Sequence, residues 1–152
     1  MNLNIISAFA AVALLAACAQ KAETTTAQGK SSIVPGSQED LVANVGDRIF
    51  YDLNKSVVRT DGKATLDKQA AWLKQYASNN VQIAGNADER GTTEFNLALG
   101  QRRANAASAY LKAKGVAAAR MTTISYGKDR PTAMGSNEQA WAQHRNATTS
   151  VR

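Results

Sequence analysis

Residues 81–115, VQIAGNADERGTTEFNLALGQRRANAASAYLKAKG, decide the fold. Val81-Gln82-Ile83-Ala84 reads as a short buried strand closed by Gly85. Residues 93–114, rich in Ala and Leu, read as a long helix that Gly115 ends from the C′ position. Between strand and helix lies the densest polar cluster of the chain, Gly85-Asn86-Ala87-Asp88-Glu89-Arg90-Gly91-Thr92. A loop at the C-terminal end of a strand and beside a helix N-terminus is the usual ligand position in sheets covered by helices. Its two glycines allow tight turning, and the first helical turn offers free N–H groups to an anion. A charged loop that is merely solvated has the same composition.

The helix narrows the chemistry. Asn96 and Arg103 lie seven residues apart, two turns along one face, with Leu99 and Gly100 between them. Glycine in a helix interior costs about 1 kcal/mol relative to alanine, so Gly100 predicts close approach by another group. Asp88 on the loop and Arg103 on the helix supply opposite charges to one cleft. They suit a zwitterion, the carboxylate taking an ammonium and the guanidinium taking a carboxylate as a bidentate fork. An internal Asp88–Arg103 salt bridge holding loop to helix is equally compatible with the spacing.

Outward from this stretch, Arg48-Ile49-Phe50-Tyr51 reads as a strand after the Gly46-Asp47 turn. Residues 64–77 place Leu66, Ala70, Leu73 and Ala77 on one helical face. Met121 to Tyr126 is a third strand, Ser136-Asn137-Glu138-Gln139 has capping-box spacing for a short helix to about His144, and Ala147 to Val151 is a last strand. The order β-α-β-α-β-α-β implies an α/β domain, a sheet with helices packed against it, over residues 45–152. Trp72 and Tyr76 read as packing, Trp141 and Met134 as core or rim, and His144 as a surface or satisfied polar group. Lys63, Lys68, Lys74, Lys112 and Lys114 read as solvated helix faces.

The N-terminal third is different. Residues 5–17, IISAFAAVALLAA, form an apolar run of 13 residues. That is shorter than the roughly 20 needed to span a bilayer and fits the core of a secretory signal. Leu15-Ala16-Ala17-Cys18 resembles a bacterial lipobox, which predicts a signal peptide over residues 1–17 and a lipid on Cys18, the chain's one cysteine. Stable anchoring takes more than one acyl chain, which a lipidated N-terminus provides. Ala19 after the cysteine favours sorting to the outer membrane. Residues 19–44 are rich in Ala, Thr, Gln, Ser and Lys without apolar periodicity, so residues 18–44 are expected to be a lipidated N-terminus and flexible tether.

Composition sets outer bounds. The chain has 152 residues, 44% hydrophobic and 20% charged, consistent with one globular domain plus short extras. One cysteine excludes an intramolecular disulfide and a cysteine-cluster zinc site. One histidine disfavours a histidine-rich metal centre. Eighteen Lys+Arg against twelve Asp+Glu give +6, which suits an anionic surface. Secretion and the lack of an aromatic-interleaved basic motif set nucleic acid aside, and no cofactor or metal is implied.

The loop and helix together, Gly85 to Thr92 and Glu94-Phe95-Asn96-Leu97-Ala98-Leu99-Gly100-Gln101-Arg102-Arg103-Ala104-Asn105-Ala106, resemble the signature of the OmpA-like peptidoglycan-binding domain family. Val45-Gly46-Asp47-Arg48-Ile49-Phe50 with Asp52, and Ile124-Ser125-Tyr126-Gly127, also match, so the resemblance covers roughly residues 45–151. Lipobox and tether place the chain among the lipid-anchored members. The resemblance implies a βαβαβαβ domain with a mixed sheet, an α+β sandwich, and non-covalent binding of the diaminopimelate in peptidoglycan stem peptides. By the same resemblance Asp88 contacts the ligand ammonium, Arg103 holds its carboxylate, and Asn96 braces the loop or donates to the ligand. Asn54 stands where an acidic residue often lines the pocket; it can hydrogen-bond but cannot pair with an ammonium. Asn86 stands where many relatives have His, and His144-Arg145-Asn146-Ala147 replaces the usual Asn-Arg-Arg-Ala.

The implied role is a tether between outer membrane and wall, its domain facing the periplasm, with TolB and the other Tol components as partners in envelope integrity and division. An OmpA-like wall anchor without Tol partners is the second reading. A wall hydrolase using Asp88 or Glu89 as general base is the third, and it lacks an evident acid/base partner or metal.

Overall fold

The computed structural model describes residues 33–152, so the expected signal peptide, the lipidation site Cys18 and most of the tether lie outside the described residues. Four strands and four helices follow one another as α1 (Gln38–Asp40), β1 (Arg48–Phe50), α2 (Thr60–Gln75), β2 (Val81–Asn86), α3 (Thr93–Ala113), β3 (Met121–Gly127), α4 (Glu138–His144) and β4 (Asn146–Val151). The strands form one mixed sheet in the order β1-β4-β2-β3. β2 and β3 run parallel, as a helical crossover through α3 requires, while β4 lies antiparallel between β1 and β2.

Alternation along β2 explains the two layers. Val81 and Ile83 are buried with Ile49 of β1 and Ala147 of β4, and the same core takes Leu66, Ala70 and Leu73 from α2 and Ala104, Ala107 and Leu111 from α3. Gly85 continues the inward row and meets α3 backbone to backbone. A Cβ on Gly85 would lie 1.8 Å from the carbonyl oxygen of Gly100, so the close approach expected at Gly100 is to strand β2 itself.

The helix ends follow their local chemistry. Thr92 caps α3, its hydroxyl accepting from the Phe95 N–H at 3.2 Å. At the other end Gly115 sits at φ 93°. Its N–H donates to the Lys112 carbonyl and that of Val116 to the Leu111 carbonyl, a Schellman arrangement with Gly115 at the C′ position expected from the sequence. α4 opens one residue later than the capping-box spacing suggested, with Asn137 as the cap accepting from Ala140 N–H at 3.0 Å. α2 begins four residues before the expected residue 64 and stops at Gln75, which leaves Ala77 exposed beyond the apolar stripe. Met134, read as core or rim, is 98% exposed.

The largest departure is at the start of the domain. Residues 33–44, expected to belong to the tether, pack onto it through α1 and a π-type turn, Leu41–Val45. Leu41 is fully buried in the core. The Asp40 carboxylate gathers the Gly36 N–H at 2.8 Å, the Asn44 amide at 2.7 Å and the Trp72 indole N–H at 2.8 Å. Asn79 donates to the Gly36 carbonyl at 2.7 Å, and Gln38 accepts from the last strand at Val151 N–H, also 2.7 Å. Long-range polar contacts, not apolar periodicity, fasten this segment, so its composition resembles a linker.

These bonds, the Gly36 N–H foremost, then Trp72 and Asn44, hold the Asp40 carboxyl below its ordinary value. A carboxylate favoured in the folded state stabilises fully above its unfolded pKa of about 4 and loses that contribution as pH falls through the lower folded value. Wild-type protein is therefore expected to keep its thermal midpoint down to about pH 4 and lose it below. Asp40→Asn should lower the midpoint at pH 7 and flatten the acid limb, measured by circular dichroism melts between pH 2 and 7. An unchanged acid limb would show that Asp40 does not clasp the segment. Among the described residues no helix is long and apolar enough to cross a membrane.

Candidate functional site

β2 carries the site out of the sheet. Its register against β3 shifts at Gly85/Asn86, after which Ala87 N–H donates to the Gly127 carbonyl at 2.7 Å and turns the chain into the loop. Asn96, buried on the first turns of α3, donates its amide to the Arg90 carbonyl at 2.8 Å. Lys128 adds a bond to the Gly91 carbonyl at 3.0 Å. Asn96 therefore braces the loop, one of the two expectations held for it.

Asp88 is 5% exposed at the centre of this loop. One oxygen accepts from the Arg90 backbone N–H at 3.2 Å and Nε at 3.1 Å. The other accepts from Arg90 Nη2 at 2.7 Å and Arg145 Nη1 at 3.4 Å. Burial is the largest single influence and raises its pKa, but the Arg90 side-chain and backbone bonds, the Arg90 charge and Arg145 together outweigh it. The carboxyl stays below its ordinary value and ionised at neutral pH.

Arg103 lies fully buried beneath the same region. Its Nε donates to the Lys55 carbonyl at 2.9 Å, Nη1 to Asn86 at 2.7 Å and Nη2 to Asp52 at 3.1 Å. The guanidinium stacks over the Tyr51 ring at 5.2 Å, and the Tyr51 hydroxyl returns a bond to the Arg103 carbonyl at 2.8 Å. Burial pulls the Arg103 pKa down to about 10, partly offset by Tyr51 and by the negative charge of Asp88, so the side chain remains cationic at neutral pH. The internal salt bridge that the spacing left open gives way to a different pairing: Asp88 binds Arg90 and Arg145, and Arg103 binds three carbonyls. A guanidinium carries five N–H donors. Three are spent on the backbone.

Asn54 sits on the turn that Arg103 holds. Lys55 N–H donates to the Asp52 carbonyl at 3.1 Å, and Asn54 between them takes φ 56°, a left-handed conformation that Asn tolerates better than most residues. It is exposed. The resemblance implies a pocket-lining place for Asn54; the structure gives it this exposed turn position.

Two connections were invisible in the sequence. Arg145, immediately after α4, bridges Asp88 and Glu138 and donates to the Tyr51 carbonyl at 3.2 Å. Glu138 accepts it at 2.6 Å and lies 3.8 Å from Arg90. Trp141 on α4 donates to Glu89 at 2.9 Å and presents its ring to Arg90 at 4.1 Å. The loop is thus fastened to α4 across more than fifty residues of sequence. The second connection joins two positions that depart from the family pattern. Asn86 donates its amide to the Asn146 side-chain oxygen at 2.8 Å, both fully or almost fully buried. Asn146 in turn donates to the Gln143 carbonyl at 2.6 Å, while the Asn86 side-chain oxygen is buried without a hydrogen-bond partner. His144 is buried, its Nε2 3.2 Å from Ala133 N and 3.0 Å from Ala133 O, a satisfied polar group that pins the loop before α4. Among the described residues there is no cluster of three or more His, Cys, Asp or Glu side chains able to hold a metal ion.

The arrangement combines a buried anion, a buried cation and a set of guanidinium and carboxylate groups paired around the anion. Such a site can recognise a small zwitterion. The profile of the OmpA family matches residues 50–146, which contain every residue of the site. A peptidoglycan-associated lipoprotein of Mesorhizobium japonicum is 45% identical over 152 residues, covering 97% of this chain and 90% of its own. One from Brucella melitensis is 51% identical over 121 residues, 80% of this chain and 72% of its own. Among solved structures, the crystal structure of the peptidoglycan-associated lipoprotein from Burkholderia pseudomallei is 40% identical and superposes with a TM-score of 0.68, covering 70% of this chain and 90% of that one.

Proposed function

The chain belongs to the OmpA family, and from that premise we propose that it is an outer-membrane lipoprotein that binds peptidoglycan non-covalently. Its domain faces the periplasm on a tether from a lipidated Cys18 and joins the membrane to the wall. The ligand is the diaminopimelate of the stem peptide. Asp88 receives its ammonium, and the positive charge of Arg103, beneath the Asp52–Lys55 turn, holds its carboxylate. Asn96 holds the loop in place, and Asn54 shapes the rim. The observation that carries this reading is that a buried carboxylate, Asp88, and a buried guanidinium, Arg103, are both brought to the end of β2, inside the span matched by the family. Its relatives named for association with peptidoglycan support peptidoglycan as the polymer bound.

The site favours binding over catalysis. Hydrogen bonds from Trp141 and then Ser136 hold Glu89 below its ordinary pKa, and Asp88 is also lowered. A general base working near neutral pH needs the opposite shift. Membership of the Tol-Pal system, with TolB and the other Tol components as partners in envelope integrity and division, completes the proposal. Retention of TolB on immobilised protein tests that part separately; failure to retain it would leave a wall anchor without Tol partners.

Co-sedimentation with purified peptidoglycan tests the core of the reading. Wild-type protein should pellet and free diaminopimelate should release it. Asp88→Asn, with unchanged circular dichroism, should stay in the supernatant, since truncating one partner of a buried charge contact costs about 2–5 kcal/mol. Asp88→Asn that pellets like wild type would remove the assignment.

A further inference from the structure

An ionised carboxylate offers about four lone-pair positions, and all of those on Asp88 are taken. An incoming ammonium can reach it only by displacing a donor that is already there. The geometry points to Arg90 as that donor: its side chain is an internal stand-in for the ligand's cation, and binding at this site is an exchange of one cation for another. This rests on the proposed wall-binding reading and adds a residue that sets affinity for it.

Arg145, the other cation on Asp88, is poorly placed to leave. Its side chain is 9% exposed, against 35% for Arg90, and it is tied to the Tyr51 carbonyl and to Glu138 as well as to Asp88. Arg90 has somewhere to go. Its guanidinium already lies over the Trp141 ring at 4.1 Å, and its Nη1 is 3.8 Å from Glu138. A small rotation lets it release Asp88 while it keeps the aromatic face and gains the second carboxylate. Trp141 is itself held by Glu89, so the receiving surface is preformed.

The loop backbone does not depend on this side chain. The Arg90 carbonyl is held by Asn96, Gly91 by Lys128 and Ala87 by Gly127. Arg90→Gln therefore removes the resident cation and leaves the loop in place. The exchange sets a threshold. A lone cation must replace a guanidinium that makes two side-chain bonds, whereas a zwitterion also brings a carboxylate to a site rich in positive charge.

The test compares wild type, Arg90→Gln, Arg90→Lys and Asp88→Asn as full chains in two titrations: free diaminopimelate followed by the backbone amide resonances of Ala87 and Gly91, and peptidoglycan by sedimentation. Arg90→Gln is expected to bind both about tenfold tighter, the worth of one charge-assisted bond no longer broken on binding. Arg90→Lys, which keeps the cation, should return towards wild type, and Asp88→Asn should bind neither. Arg90→Gln that binds as wild type does, or more weakly, overturns the exchange. If peptidoglycan pellets wild type through Asp88 and Arg90→Gln gains nothing, the wall-binding reading stands and the exchange falls. If Arg90→Gln gains affinity for free diaminopimelate while peptidoglycan pellets no variant, the exchange stands and the wall reading falls. Binding by no variant to either ligand removes both.

Discussion

Gly85→Ala should cost the domain most of its stability. The added Cβ would stand 1.8 Å from the Gly100 carbonyl oxygen, 2.6 Å from its carbon and 3.1 Å from the Ala104 nitrogen. All three are backbone atoms of α3, so no side-chain rotation relieves the clash and the helix must lift from the sheet. Overpacking a core commonly costs about 1–3 kcal/mol, and displacing a whole helix adds the packing of Ala104, Ala107 and Leu111, for an expected loss above about 4 kcal/mol. That is a large share of the roughly 5–15 kcal/mol that holds a domain folded. Gly100→Ala should be milder. Its Cβ meets Ser125 Oγ at 2.3 Å, which can rotate, and the Gly85 carbonyl oxygen at 2.7 Å, which cannot; alanine also recovers about 1 kcal/mol of helix propensity. Urea unfolding of the two variants should give that order. A Gly85→Ala protein as stable as wild type would mean that α3 does not rest on the backbone of β2. The glycine pair also sets the depth of the site, because α3 brings Arg103 to the Asn86 carbonyl at the end of the same strand.

The second large effect is at Arg103. Removing its side chain leaves the Lys55, Asn86 and Asp52 carbonyls without their common donor and uncovers the face of Tyr51. Bonds to a charged group contribute about 1.5–3 kcal/mol each, and the group left buried without a partner carries the larger part of the loss. Arg103→Ala is expected to lower unfolding free energy by about 3–5 kcal/mol. Arg103→Lys should recover little, because an ammonium cannot match the planar fork that reaches both the β2 end and the Asp52–Lys55 turn. Equilibrium unfolding, with amide exchange at residues 52–56, checks both statements. Wild-type stability in Arg103→Ala would show that these carbonyls find water instead. Lost wall binding in an Arg103 variant would report the state of the turn as much as a ligand contact. Asp88→Asn, which keeps the three carbonyl bonds of Arg103, is the cleaner probe of recognition.

Much of this architecture is local and can be read from single segments. The strands at Arg48, Val81, Met121 and Ala147 announce themselves by composition, Gly115 by its place just past a helix end, and Gly100 by the cost of glycine inside a helix. The bracing role of Asn96 is one of the two that the family resemblance implies. What escapes such reading is pairing at a distance. Nothing in Asn146–Val151 says that it inserts between β1 and β2. Arg145 meets Asp88 across 57 residues and Trp141 meets Glu89 across 52, so the helix that clamps the loop reads as a minor C-terminal element. Residues 33–44 look like linker because Asp40 finds Trp72, and Gln38 finds Val151, by polar bonds that leave no periodic trace. Asn86, a neutral change, and Asn146, a lost arginine, look unrelated until their hydrogen bond joins them.

The clasp of residues 36–44 also fixes a direction. It fastens at Trp72, Asn79 and Val151, and Val151 pairs with Val81, the first residue of β2. Asp88 follows Asn86, at that strand's last residue. Tension between the N-terminal segment and a ligand held at Asp88 therefore runs along the strands, across a ladder of bonds that lie perpendicular to them. The rungs between β2 and β4 are then loaded in shear and must yield together, where peeling an edge would break them singly. Under the proposed binding, a domain gripped at opposite ends of its central strands bears load as a mechanical link, and the clasp at its near end sets how it does so.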